Sequence, residues 1–329
     1  MLAWLKRTKT TADSLLGLAP VAGGCVLVCL QRSAGAVRLP ICEFVAATPG
    51  SQVEVLRQRV EALGLQGLPV NLLLSAADYQ LLLVERPDVP PAELRAAVRW
   101  RIRELVNAPL DSLVVDAFAL PDDAYRGRTP MAYCAVLARS RMQALAGWVE
   151  SAGLRLHSID IAEMALRNLG LLIAGDSQNL AVLKLNARDG LICVQHGRDL
   201  YMARRIEHGL DNRGVDSAQL ALEIQRSLDY FESQLGKGPV ARLLVLPVPA
   251  VGEQLLAELG LQLSVRIERL ALNELFAGSP LLELPADQQA ACLPALGAAL
   301  RQEHAEAVEQ RQAAPRRPKM AAAARLETS

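Results

Sequence analysis

The chain has 329 residues, 51% hydrophobic, 21% charged and 4% aromatic, enough length and apolar content for two core-bearing domains. Its 35 Lys and Arg balance 35 Asp and Glu, which removes any bulk electrostatic attraction to nucleic acid. No apolar run approaches the roughly 20 residues that cross a bilayer, and the start MLAWLKRTKT lacks the apolar core and cleavage site of a signal peptide, so a cytoplasmic protein is expected. In an N-terminal arm over 1–14, Met1, Leu2, Trp4 and Leu5 beside Lys6, Arg7 and Lys9 form too short an apolar segment for more than weak contact with a membrane surface. Cys25, Cys29, Cys42, Cys134, Cys193 and Cys292 lie mostly in apolar runs without a C-x-x-C pair and read as reduced, buried thiols.

Two apolar, β-branched runs, Gly23 to Gln31 and Ala36 to Ala46, flank the turn signal Arg32-Ser33-Ala34-Gly35, and Pro40 marks the second as interrupted or at a sheet edge. Gln52 to Leu63 has helical spacing through Val53, Leu56, Val60 and Leu63, and Leu68 to Leu74 reads as a strand. Next come a strand over Leu81 to Val84, stopped by Pro87, Pro90 and Pro91, and a helix with Leu94, Val98, Ile102 and Leu105 on one stripe and Arg95, Arg99 and Arg103 on another. Leu113 to Leu120 is the following strand, and Asp122-Asp123 reads as a solvated loop pair. Strand Ala132 to Ala138, helix Arg139 to Ser151, strand Leu154 to Ile159 and helix Ile161 to Ile173 then alternate, which argues an α/β fold.

From Leu180 the order is three meandering strands, Leu180 to Leu185, Leu191 to Gln195 and Leu200 to Arg205, joined by Gly-, Asn- and Asp-rich turns. Helix Asp216 to Gln234 with the stripe Leu220, Ile224, Leu228 and Phe231, strand Ala241 to Leu246, helix Val251 to Leu259 and strand Gln262 to Ile267 complete a ribonuclease-H-like half by analogy of element order. A weak internal repeat supports two such halves. Helix, Gly153-Leu154-Arg155-Leu156 and Ile159-Asp160 match helix, Gly260-Leu261-Gln262-Leu263 and Ile267-Glu268, with a glycine ending each helix. A closing helix is expected over 287–303 and a disordered, Ala-, Gln- and charge-rich tail over 304–329, with Arg316, Arg317 and Lys319 in it.

The segment from Tyr79 to Pro121 carries a specific pattern: a strand, E-x-P-x-V-P-P-x-E-L from Glu85 to Leu94, R-W-R-I-R-E-L from Arg99 to Leu105, N-A-P-L-D from Asn107 to Asp111, and a strand with Val115-Asp116. It resembles PilM-type proteins of type IV pilus assembly, and most closely the branch of that family serving the mannose-sensitive haemagglutinin (MSHA) pilus. The resemblance implies an actin-like fold: a first ribonuclease-H-like half over 15–174 with a small α+β subdomain inserted at about 68–121, and a second half over 175–286. Leu293 to Arg301 is similar to the A-x-G-L-A-L-R helix that closes such chains.

In that fold ATP and Mg²⁺ sit between the halves, because phosphate oxygens need glycine-rich turns and Mg²⁺ needs carboxylate or water oxygens. Against the family's motifs, Ala19 and Pro20 stand in the first loop where an acid is expected, followed by Gly23 and Gly24. Lys184 replaces the acid of the second loop, with Asn186 at its glycine and Asp189-Gly190 after it, and Pro247-Val248-Pro249-Ala250 replaces the third, Gly-Gly turn. Arg204 and Gly209 in an R-x-I-x-x-G stretch, Asp160 and Gly297 remain. The resemblance thus implies a pseudo-ATPase without catalytic residues, whose degenerate cofactor candidates are Gly23, Gly24, Lys184, Asn186, Gly190, Gly209 and Gly297.

The implied role is a scaffold peripheral to the inner membrane. It would bind the N-terminal cytoplasmic peptide of a PilN-like or MshJ-like bitopic partner, with Arg95, Arg99, Trp100 and Arg103 as contacts, and associate with the membrane mainly through that partner. An ATPase with drifted motifs, whose ATP state regulates pilus assembly, is the alternative; a small-molecule kinase would need a general base these loops lack. His157, His196, His208 and His304 have no metal-ligand spacing, and no P-loop, G-x-S-x-G or H-E-x-x-H occurs.

Overall fold

The computed structural model describes residues 14–33, 36–125, 129–173, 178–210 and 217–301. Most of the expected N-terminal arm, the Ala34-Gly35 turn and the tail lie outside the described residues. The chain runs β1 (Ser14–Val21), β2 (Gly24–Ser33), β3 (Ala36–Ala46), α1 (Gln52–Ala62), β4 (Pro69–Leu73), β5 (Tyr79–Glu85), α2 (Leu94–Arg101), β6 (Leu113–Ala119), β7 (Met131–Ala138), α3 (Arg139–Ser151), β8 (Arg155–Asp160) and α4 (Ala162–Gly170). It continues through β9 (Asn179–Leu185), β10 (Gly190–His196), β11 (Asp199–Ile206), α5 (Ser217–Gln234), β12 (Arg242–Val245), α6 (Glu253–Gln262), β13 (Arg266–Arg269), α7 (Leu272–Leu275) and α8 (Ala286–Ala299).

Two five-stranded sheets share one plan, β3-β2-β1-β4-β8 and β11-β10-β9-β12-β13. In each, three antiparallel strands meander and two further strands run parallel to the first. This is the ribonuclease-H-like order, present twice. The duplication includes β1, which strand propensity misses because Gly17, Ala19 and Pro20 interrupt it. Pro40 does lie on an edge strand, β3, next to a register irregularity.

Several expectations are corrected. The strand near Leu68 to Leu74 is β4, between β1 and β8 in the first sheet, whereas β7 is the central strand of a separate β5-β7-β6 sheet. The inserted sheet therefore uses residues between 79 and 138 rather than about 68–121. Gly153 does follow α3 in a left-handed turn, φ 80°, but Gly260 sits inside α6, so the repeat's second helix stop is absent. Val53 and Leu105, assigned to apolar stripes, are exposed, while Leu56, Val60, Leu94, Val98 and Ile102 are buried. The return to the first half begins before residue 287, since the short turn Pro280–Glu283 already packs on β3.

One core spans both halves. Leu166 and Leu169 of α4 and Leu293 and Leu296 of α8 pack with Val26, Val28 and Leu30 of the first sheet and with Leu180, Val182 and Cys193 of the second. Each such fully buried aliphatic side chain contributes about 1.5–3 kcal/mol. The approach of α8 depends on missing side chains: a Cβ on Gly17 would strike the Ala295 carbonyl, and one on Gly297 the Ala165 carbonyl. Asn168 Nδ2 and Asn71 Nδ2 donate to the carbonyls of Gly297 at 2.8 Å and Ala298 at 2.9 Å, fixing α8 in register.

All six cysteines are buried and free. Burial pushes the Cys25 thiol up to about 12 and Cys29 and Cys134 to about 11, so these groups behave as apolar core. Among the described residues no helix is long and apolar enough to cross a membrane.

The glycine contacts set a pair of opposite expectations in urea unfolding. Gly297→Ala is expected to destabilise by about 1–3 kcal/mol because α4 must move. Gly147→Ala, inside α3 with no atom within 4 Å of an added Cβ, is expected to stabilise by about 0.5–1 kcal/mol. A neutral Gly297→Ala would mean that the helix crossing is not close-packed.

Candidate functional site

The ends of β1, β4 and β8 in one half, and of β9, β12 and β13 in the other, carry the loops where a nucleotide would be held in a duplicated fold of this kind. The β1–β2 turn places Gly23 in the left-handed region, φ 79°, where an added Cβ would meet nothing nearer than Phe44 at 4.0 Å. Gly24 has a packing reason instead, because a Cβ there would strike the Val45 carbonyl on β3. Ala19 is buried against the shared core.

The β9–β10 turn closes on itself. Lys184 donates to Asn186 Oδ1, and Asn186 Nδ2 donates to Asp189 Oδ1 at 2.6 Å. Burial lowers the Lys184 pKa, opposed by the nearby Asp189 charge. Gly190 begins β10, and Gly209 lets its own segment lie against the backbone of Asn186, Arg188 and Asp189. The acid of the turn is thus engaged by Asn186 beside a cation, and the Pro247-Val248-Pro249 turn withholds two backbone donors. In these loops the Asp189 carboxylate is already paired with Asn186, and Pro247 and Pro249 carry no backbone N–H, a poor match to the oxygen ligands of Mg²⁺ and the donors that a phosphate needs. Gly297 serves the helix crossing described above. Among the described residues no cluster of three His, Cys, Asp or Glu side chains has metal-site geometry.

The unexpected chemistry lies beside these loops. At the start of α4, Glu163 is buried, and Tyr79 Oη donates to its Oε2 at 2.6 Å while accepting from the Ala162 N–H at 3.2 Å. Arg205 covers the Tyr79 ring at 5.8 Å and donates to the Ala76 carbonyl at 3.2 Å. Burial is the largest cause raising the Glu163 pKa; the Tyr79 hydrogen bond and Arg205 oppose it, and Asp160 adds to it. Asp160, also buried and raised chiefly by burial, accepts from the Ile161 N–H at 3.0 Å and lies 3.5 Å from Arg301.

Tyr79, Glu163 and Arg205 line a groove between the inserted sheet and the second half. One cavity of about 320 Å³ holds Tyr79, Glu163, Leu191 and Arg205. A second of about 320 Å³ holds Leu83, Tyr125, Met202 and Tyr230. The two meet at Leu81, Tyr133, Ala203 and Arg204. Strands β5 and β11 are both sheet edges, and Tyr133 Oη accepts the Ala203 N–H at 3.0 Å, covering one main-chain donor of β11. Leu83 and Tyr230 stay 36% and 38% exposed, so the groove presents apolar surface to solvent. Asp122 and Asp123 are exposed, as expected of a solvated pair, and make surface contacts: Asp122 lies 2.7 Å from Arg86, and Asp123 accepts from Tyr201 at 3.0 Å and pairs with Lys237.

The expected partner residues lie elsewhere. The inserted sheet turns Val84, Ala132, Cys134, Val136, Leu113 and Val115 toward α2. Tyr79, Tyr133 and Leu137 point the other way, into the packing with the two halves. Arg95, Arg99, Trp100 and Arg103 therefore sit on the far side of the sheet from the groove, with Arg103 beyond the end of α2. Arg99 bends back onto the Leu110 carbonyl at 2.8 Å. Sequence periodicity marks which strand positions alternate but not which sheet they meet; Tyr79, Leu83, Tyr133 and Glu163 gave no motif signal.

The strand orders of the two halves and the core across them decide the architecture. The fold is actin-like. No family model matches the sequence, and no curated protein does. Among solved structures, a chain of the PilM-PilN type IV pilus biogenesis complex superimposes with a TM-score of 0.64 at 21% identity, covering 87% of this chain and 98% of that one. The cytoplasmic domain of EpsL, an inner-membrane component of the type II secretion system of Vibrio cholerae, gives a TM-score of 0.46 at 14% identity over 88% of this chain and 96% of that one. A Bacteroides thetaiotaomicron protein with an actin-like ATPase fold and unknown function gives 0.47 at 9% identity over 80% and 92%.

The raised Glu163 pKa has a signed consequence. Its stabilising contribution is full below the ordinary glutamate value of 4.5 and is lost as pH rises through the raised value. Glu163→Gln keeps an acceptor for Tyr79 and removes the charge. Its melting temperature is expected to match the wild type near pH 4 and to exceed it increasingly toward pH 8. A pH-independent difference would place the carboxylate in a solvated setting.

Proposed function

We propose that this chain is a non-enzymatic assembly protein of a type IV pilus system, working on the cytoplasmic face of the inner membrane. Its task is to capture the N-terminal cytoplasmic segment of a PilN-like bitopic protein. The observation that carries this reading is the likeness, over nearly the whole of both chains, to a chain of a complex in which PilM is joined with PilN. The pattern from Glu85 to Asp116 favours the finer assignment to the MSHA branch, as an MshI-type chain whose partner is MshJ-like.

The groove lined by Leu81, Leu83, Tyr133, Met202 and Tyr230 is the site we assign to that segment. An extended peptide suits it, because it runs beside the edge strands β5 and β11 and offers apolar side chains in one cavity, Arg204 where the two cavities meet and Arg205 in the other. A labelled peptide of the partner's cytoplasmic segment is expected to bind the full chain in fluorescence anisotropy, and Leu83→Asp to weaken it at least tenfold, as for a hot-spot residue. No binding to the wild type would sink the role; undiminished binding to Leu83→Asp would move the site elsewhere.

The pseudo-ATPase part of the reading draws on the Lys184–Asn186–Asp189 chain and the two prolines of the third loop. The alternative, a nucleotide-binding actin-like ATPase whose ATP state regulates assembly, draws on Gly23, whose turn keeps open space and a left-handed backbone. Titration calorimetry of the full chain with ATP and Mg²⁺ separates them. No saturable heat is expected, and saturable binding would favour the alternative.

A further inference from the structure

We infer that the outer face of α2 is a contact surface for anionic phospholipid. Helix α2 spends its inner face, Leu94 and Val98 with Ile102 just after it, on the inserted sheet. On the outside Trp100 is 73% exposed, and Leu105 in the following turn is 53% exposed. Single exposed apolar residues need no explanation. What sets these apart is the charge around them: between residues 94 and 105 stand Arg95, Arg99, Arg101 and Arg103 against Glu104 alone, in a chain whose overall charge is zero. Arg99 is engaged with Leu110 and lies 3.9 Å from Asp111. Arg95, Arg101 and Arg103 are exposed and make no ion pair among the described residues.

The shape of this face distinguishes a lipid surface from a peptide. Captured peptides need a concave apolar site, and none of the cavities at the two ends of the second half's sheet or beside the inserted sheet is lined by an α2 residue. An exposed helix carrying one protruding indole, with arginines on both flanks of its buried stripe and in the turn after it, matches the interface of a bilayer instead. The ring settles at headgroup depth, and each guanidinium meets phosphate oxygens with two parallel donors. Two apolar side chains and three free arginines give weak, reversible contact, suited to orienting a protein that something else holds at the membrane.

The test is co-sedimentation of the full chain with phosphatidylethanolamine vesicles made with or without phosphatidylglycerol. Binding is expected only with phosphatidylglycerol, weakened by salt. It should fall about fivefold for each of Arg95→Gln, Arg101→Gln and Arg103→Gln, and on the order of a hundredfold for the triple variant. Trp100→Ser should also lower it, with an unchanged melting temperature because these side chains are exposed. The variant Leu83→Asp should bind vesicles like the wild type, which separates this surface from the groove. Equal binding to both vesicle types, or undiminished binding by the triple variant, would overturn the inference. So would a loss of partner-peptide binding in the triple variant without any vesicle binding, which would assign α2 to a protein.

Discussion

The architecture depends on a close crossing of two helices. Where α8 passes α4, Gly297 lies on the Ala165 backbone, and Gly17 lets the same helix settle onto β1 at Ala295. Helices packed at that distance bring Leu166, Leu169, Leu293 and Leu296 into one core with side chains of both sheets. The halves are therefore not two beads on a string. Buried polar groups agree with the arrangement, because Asn71 and Asn168 spend their donors on α8 carbonyls. Asp160 joins the same network through Arg301.

That rigid frame sets two kinds of polar chemistry side by side. At the β9–β10 turn, Lys184, Asn186 and Asp189 satisfy one another, so the loop needs no ligand to pair its charges. At the start of α4, Glu163 is kept in a setting that disfavours its charge, held by Tyr79 and faced by Arg205. A buried carboxyl of this kind costs stability at neutral pH unless it is paired. It lies in the lining of an open groove, beside Tyr79 and Arg205.

The inserted sheet gives the molecule two surfaces of different character. Its inner face packs against both halves and, with β11, frames the apolar groove. Its outer face is closed by α2, which turns Trp100 and three arginines outward. Because strand side chains alternate, seven-residue strands such as β5 serve both surfaces at once: Val84 supports α2, while Leu83 lines the groove.

Much of the local structure was legible from residue order. The stripe Leu220, Ile224, Leu228 and Phe231 placed α5 and its buried face, and the Asn-, Asp- and Gly-rich turns placed β9, β10 and β11, because helical and strand periodicities are properties of neighbouring residues. The α/β class was equally readable in the chain. Only the tertiary structure decided the rest. Strand β1 is built from residues with weak strand preference because α8 requires a glycine there, and β4 and β7 belong to different sheets though both look like buried strands. Trp100 is outside, Gly260 is inside a helix, Leu83 pairs with Tyr133 across the inserted sheet, and Tyr79 meets Glu163 across a long stretch of chain. Those outcomes rest on contacts between segments far apart in sequence, which no local pattern encodes.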